Sequence, residues 1–94
     1  MPLEIFWAPL ARARLAEIRA YISLDNPEAA ERLAVRIVAL TELLKNFPYL
    51  GRPGAEPGSR ELVVAGTPYI ILYRVWRRRV TIRTIWHGKQ QRDI

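Results

Sequence analysis

YIILYRVWRRRVTIRTIWH, residues 69–87, carries the clearest β pattern in the chain. Two runs rich in β-branched and aromatic residues, 69–76 and 79–87, flank a cluster of arginines. They predict an antiparallel hairpin with Val75 opposite Val80. Neither Arg77 nor Arg78 favours positive φ, so a two-residue turn and a four-residue loop are both open, and both keep that register. Alternation then places Tyr69, Ile71, Tyr73, Val75, Val80, Ile82 and Trp86 on one apolar face, expected to pack on the helices that precede it in the chain. The other face carries Ile70, Leu72, Arg74, Thr81, Arg83, Ile85 and His87. Two cations and a histidine on a partly apolar background read as a binding surface rather than a core.

Working outward, Gly66-Thr67-Pro68 separates this hairpin from a further strand over about 60–65. PYLGRPGAEPGS, 48–59, is rich in turn residues and reads as a loop. Before it lie two helical patterns. Pro9 suits a first helical turn, and Ala11, Leu15, Ile18 and Ile22 recur at helical spacing, giving a helix over about 9–23. In Asp25-Asn26-Pro27-Glu28, Asn26 or Asp25 can cap a second helix, Pro27 fits its first position and Glu28 favours its positive end. That helix runs to about Lys45, with Ala30, Leu33, Ile37, Leu40 and Leu44 as its apolar stripe. So short a connection makes the helices antiparallel neighbours. Leu3–Trp7 reads as a short strand. The expected class is α+β: an N-terminal strand and an αα-hairpin packed on a small antiparallel β-sheet, one domain over residues 1–94.

Charge is unevenly placed. Residues 1–47 carry six Lys/Arg and six Asp/Glu, whereas 48–94 carry nine Lys/Arg against three acids, so the second half supplies the net +6. Most of the excess lies between Arg74 and Arg92, with the single histidine, His87. A cationic face on so small a protein predicts an anionic partner. The absence of cysteine excludes disulfides and thiolate metal sites, and one histidine excludes an ordinary zinc site. No cofactor is expected. No apolar run approaches the ~20 residues of a membrane span. MPLEIFWAPL lacks the basic start of a signal peptide, and the expected location is the cytoplasm, with no membrane partner.

Four pieces in order carry a resemblance: DNPEAAERL at 25–33, PYLGRPG at 48–54, GSRELVVAGTPYIILYRV at 58–75 and IWHGKQQRD at 85–93. Together the chain resembles the RelE/ParE superfamily, toxins of bacterial type II toxin–antitoxin modules. The resemblance implies a helical hairpin against a small antiparallel sheet. It also implies a cognate antitoxin with an acidic, partly disordered C-terminal segment, in a toxin–antitoxin hetero-oligomer. Two targets are implied: DNA gyrase, inhibited by ParE-like members, or the ribosome and its mRNA, cut by RelE-like members.

RelE-type cleavage uses the RNA 2′-hydroxyl as nucleophile and needs a base, an acid and cations on the phosphate. Arg74 and Arg83 would clamp the phosphate, His87 would serve as acid or base, Glu61 as a base, and Lys89 and Arg92 would hold flanking backbone. Against this, Ile70 stands where family nucleases commonly carry an arginine. The lysine pair that some RelE-like enzymes carry before this strand is missing, and the chain closes on HGKQQRDI rather than on a tyrosine. The ParE-like reading is therefore preferred, with Arg74, Arg83, His87, Lys89 and Arg92 as target- or nucleic-acid-binding residues. A nucleic-acid-binding or inactive family member is a third reading. Simpler roles stand beside these: His87 as a strand-end histidine bonded to backbone, Arg77–Arg79 as a solvated tip, Glu61 in a structural ion pair, and Trp7, Trp76 and Trp86 as packing. Among the tryptophans only Trp76 lies on the mixed face, where a base could stack.

Overall fold

The structure is a computed structural model and describes residues 2–88. Its elements are β1 (Glu4–Trp7), α1 (Pro9–Ser23), α2 (Pro27–Leu43), β2 (Arg52–Pro53), β3 (Ser59–Val63), β4 (Tyr69–Trp76) and β5 (Arg79–His87). The strands form one five-stranded sheet in the order β1-β5-β4-β3-β2. α1 packs on β5, and α2 packs on α1.

Both helix starts follow from sequence. Pro9 occupies the first turn of α1 and Pro27 that of α2, positions with no intrahelical use for an N–H. Asn26 is the α2 cap: its Oδ1 accepts the Ala29 N–H at 3.1 Å. Arg19 and Glu31 pair across the helices at 2.6 Å, as antiparallel neighbours should. Ala11 of α1 and Ile37 of α2 are buried with Ile71, Tyr73, Val80 and Ile82 of the sheet.

Three details differ from expectation. First, the sheet is mixed. β1 runs parallel to β5, from Glu4 opposite Arg79 to Trp7 opposite Ile82. A parallel neighbour cannot be reached by a tight turn, and here most of the chain intervenes, so no local signal marks it. Second, the 48–59 loop contains the short strand β2, paired with β3 through Arg52–Glu61 and Pro53–Arg60.

Third, the hairpin carries a bulge. Val75 does face Val80 across a two-residue Arg77-Arg78 turn, but Leu72 faces Thr84 while Tyr73 faces Ile82, leaving Arg83 as the extra residue. An inserted residue reverses the alternation beyond it. Ile85 is therefore opposite Ile71 in the core, 1% exposed, and His87 is opposite Tyr69 on the same helix-side face. Trp86, expected against the helices, is instead opposite Ile70 on the outer face.

Candidate functional site

The outer face divides into two ends. At one end Ile70 is buried opposite Trp86, beside the half-buried Leu72. At the other end, next to the β4–β5 turn, lie Arg74, Trp76, Arg79 and Phe6. Strand register assembles them: Arg74 lies between Ser59 and Thr81, Trp76 is opposite Arg79, and Phe6 is opposite Thr81. Trp76 is 63% exposed.

Arginines dress these rings. The Arg77 guanidinium lies 5.6 Å from the Trp76 ring centre, and that of Arg79 lies 5.3 Å from Phe6. Arg79 also stands 3.8 Å from the exposed Glu4 carboxylate. The bulge carries Arg83 to Glu56, at 3.3 Å, in the loop before β3. Gly58 of that loop lies against Arg74: a Cβ there would stand 3.4 Å from Arg74 Nε, and its φ of +80° suits glycine. Arg74 and Arg83 thus meet at one loop. Among the described residues no carboxylate pairs with Arg74.

His87 is elsewhere. The expected sharing of one face by Arg74, Arg83 and His87 fails, because the bulge at Arg83 turns His87 to the helix side. Its ring meets Tyr69 edge-on, with centres 5.5 Å apart. With Arg14, Glu17, Ile18 and Tyr21 these two residues line a cleft of about 330 Å³ beside α1. Among the described residues the buried His87 Nδ1 and Arg14 Nε have no hydrogen-bond partner, so the backbone bond weighed as a simpler role for His87 is not made at Nδ1. Lys89 and Arg92 lie outside the described residues.

Other candidates resolve as structure. Glu61 is 5% exposed and receives Arg52 at 3.2 Å, the ion pair expected of it. Tyr73 is fully buried. Its phenol donates to the Pro48 carbonyl at 2.7 Å and accepts the Gly51 N–H at 2.9 Å. Burial pushes this phenol above its ordinary pKa, against the smaller lowering effects of the Gly51 bond and Arg60. Arg60 reinforces the same loop, donating to the Gly51 carbonyl at 2.8 Å and covering the Tyr49 ring at 4.8 Å. A Cβ at Gly51 would lie 2.7 Å from the Glu61 carbonyl and 2.9 Å from Tyr73, so the close approach requires glycine. The PYLGRPG motif is a fitted loop.

Sequence reasoning missed the Arg77–Trp76 and Arg79–Phe6 pairs, the second because it needs the parallel β1. The bulge left one trace. Ile82 and Ile85 are both apolar, yet three apart, and strict alternation cannot bury both on one face.

Among the described residues, no group of three or more His, Cys, Asp or Glu could hold a metal ion, and no helix is long and apolar enough to cross a membrane.

The family described as the ParE toxin of the parDE type II toxin–antitoxin system matches residues 5–92. The chain belongs to the ParE family of type II toxins. A putative toxin, Y4kP of Sinorhizobium fredii, is 47% identical to this toxin over 88 residues, covering 94% of this chain and 91% of its own. Toxin RelE2 of Caulobacter vibrioides is 39% identical over 85 residues, covering 90% and 94%. Among solved structures, the chromosomal ParDE system of P. aeruginosa superimposes with a TM-score of 0.80 at 28% identity, over 90% of this chain and 95% of that one. The RelBE2 toxin–antitoxin complex of Mycobacterium tuberculosis, 22% identical, shares the fold at a TM-score of 0.69, over 93% and 99%.

Proposed function

We propose that this toxin is a stoichiometric inhibitor of DNA gyrase, alone or on DNA, and that it docks through the cationic end of its outer face. One observation supports this above the rest: His87 is on the opposite face from Arg74. Cleavage by a 2′-hydroxyl needs a base and an acid around one phosphate held by cations. Here Arg74 and Arg83 stand together, but the nearby carboxylate, Glu56, is in an ion pair with Arg83, and Glu61 is buried against Arg52. Ile70, at the position where the nucleases commonly carry an arginine, is 7% exposed. The match to the ParE family supports the same reading.

The cognate antitoxin would supply an acidic, partly apolar segment and form a hetero-oligomer with the toxin in the cytoplasm. α2 suits such a segment, since the exposed Val35 shares one surface with Arg32 and Arg36. A disordered tail folding there would bury apolar surface and neutralise charge together.

Induction without antitoxin tests the target. Filamentation with an SOS response is expected. Rapid translation arrest with cut mRNA would replace this reading with the ribosome-dependent endonuclease.

A further inference from the structure

The hairpin tip holds an arginine in a conformation that other residues adopt more easily. Arg77 is the one non-glycine residue with positive φ among the described residues, at +57°. It occupies the first central position of a two-residue turn, where positive φ favours glycine, asparagine or aspartate. Strain of this kind persists where a side chain is needed in that place. Here the side chain covers Trp76, itself 63% exposed. Across the strand pair Arg79 repeats the arrangement on Phe6, which is 44% exposed.

We propose that these two arginine–aromatic pairs, with Arg74 behind them, form a contact site for single-stranded DNA. Two chemistries coincide at the tip. Guanidinium groups within one strand pair of one another suit successive backbone phosphates. The partly exposed rings, and the guanidinium planes lying over them, suit unpaired bases, which stack on aromatics and on arginine without regard to sequence. A duplex hides its base faces and would leave Trp76 unused. An acidic peptide would satisfy the arginines but offers no planar face for each ring. The choice of DNA over RNA rests on the gyrase reading; the stacking and phosphate geometry does not.

Fluorescence anisotropy of the purified full-length toxin with labelled twelve-nucleotide oligo(dT) tests this. Parallel titrations use a duplex, oligo(rU) and a poly-glutamate peptide. Oligo(dT) should bind tighter than duplex and peptide. Trp76→Ala should weaken it roughly tenfold, the loss of about one stacked base. Arg77→Gly should weaken it several-fold and flatten the salt dependence by about one counterion. Trp76 and Arg77 are exposed, so both variants should fold, and circular dichroism verifies it. Oligo(dT) affinity unmoved by Trp76→Ala would overturn the site. So would poly-glutamate binding as tightly, which would give the tip to an acidic protein partner. Oligo(rU) binding tenfold tighter than oligo(dT) would overturn the choice of DNA. Gyrase inhibition by a toxin that ignores oligo(dT) would sink this inference alone. Oligo(dT) binding by a toxin without effect on gyrase would uphold the site and sink the gyrase reading.

Discussion

Arg74 and His87 stand on opposite faces of one hairpin, five residue positions apart along β4. At about 3.3 Å per residue that is roughly 17 Å along the strand, in addition to the thickness of the sheet. No single phosphate can be held by one and protonated by the other. His87→Ala should therefore leave toxicity on induction unchanged. A loss of toxicity, in a variant that still folds and binds antitoxin, would place His87 in the mechanism.

Tyr73 ties the loop at 48–51 to the sheet through two backbone hydrogen bonds. Tyr73→Phe leaves the buried Gly51 N–H and the Pro48 carbonyl without that partner and should cost about 1–3 kcal/mol. Gly51→Ala should cost a similar amount through overpacking, about 1–3 kcal/mol, because its Cβ would press on both Tyr73 and the Glu61 carbonyl. Urea denaturation measures both. Free energies within a few tenths of the parent would contradict the role given to this loop.

The same phenol predicts an alkaline response. Burial raises Tyr73 above 10.0, and it raises Tyr69 likewise, with Tyr21 adding to the effect there. A pKa higher in the fold than in the unfolded chain means stability intact below pH about 10 and lost as pH rises through the folded value. Urea midpoints followed from pH 8 to 11 should fall at the alkaline end, and less steeply for Tyr73→Phe. Equal slopes for parent and variant would remove Tyr73 as a source of the loss.

Arg77→Gly should stabilise the fold while weakening target binding. Relief of left-handed strain amounts to about 1–2 kcal/mol, offset by roughly 0.5–1 kcal/mol for the greater freedom of glycine in the unfolded chain. The net gain, about 0–1.5 kcal/mol and centred on ~0.8 kcal/mol, should raise the melting temperature by a few degrees in a domain of this size. A lower melting temperature would show that the arginine conformation is not strained.

Much of this was legible in the chain. Pro9, Asn26 and Pro27 mark the helix starts, and Val75 and Val80 set the turn register. These are local signals, carried by dihedral preference and side-chain period. What escaped was non-local or phase-breaking. Nothing near Leu3–Trp7 announces a parallel partner some 75 residues on. The single inserted residue at Arg83 exchanges the faces of Ile85, Trp86 and His87, and both phases of TIRTIWH are apolar enough to permit either arrangement. The candidate site changed most for that reason: Arg74 and Arg83 kept each other, lost His87, and gained Trp76, Arg79 and Phe6.

Inhibition of DNA supercoiling by purified toxin and purified gyrase separates the two targets, with Arg74→Glu and His87→Ala beside the parent and a reconstituted translation reaction run in parallel. Gyrase inhibition through the outer face predicts that the parent and His87→Ala block supercoiling, that Arg74→Glu is at least tenfold weaker, that cognate antitoxin restores activity, and that mRNA in the translation reaction stays intact. Unimpeded supercoiling together with mRNA cut on the ribosome, and cleavage abolished by His87→Ala, would contradict it.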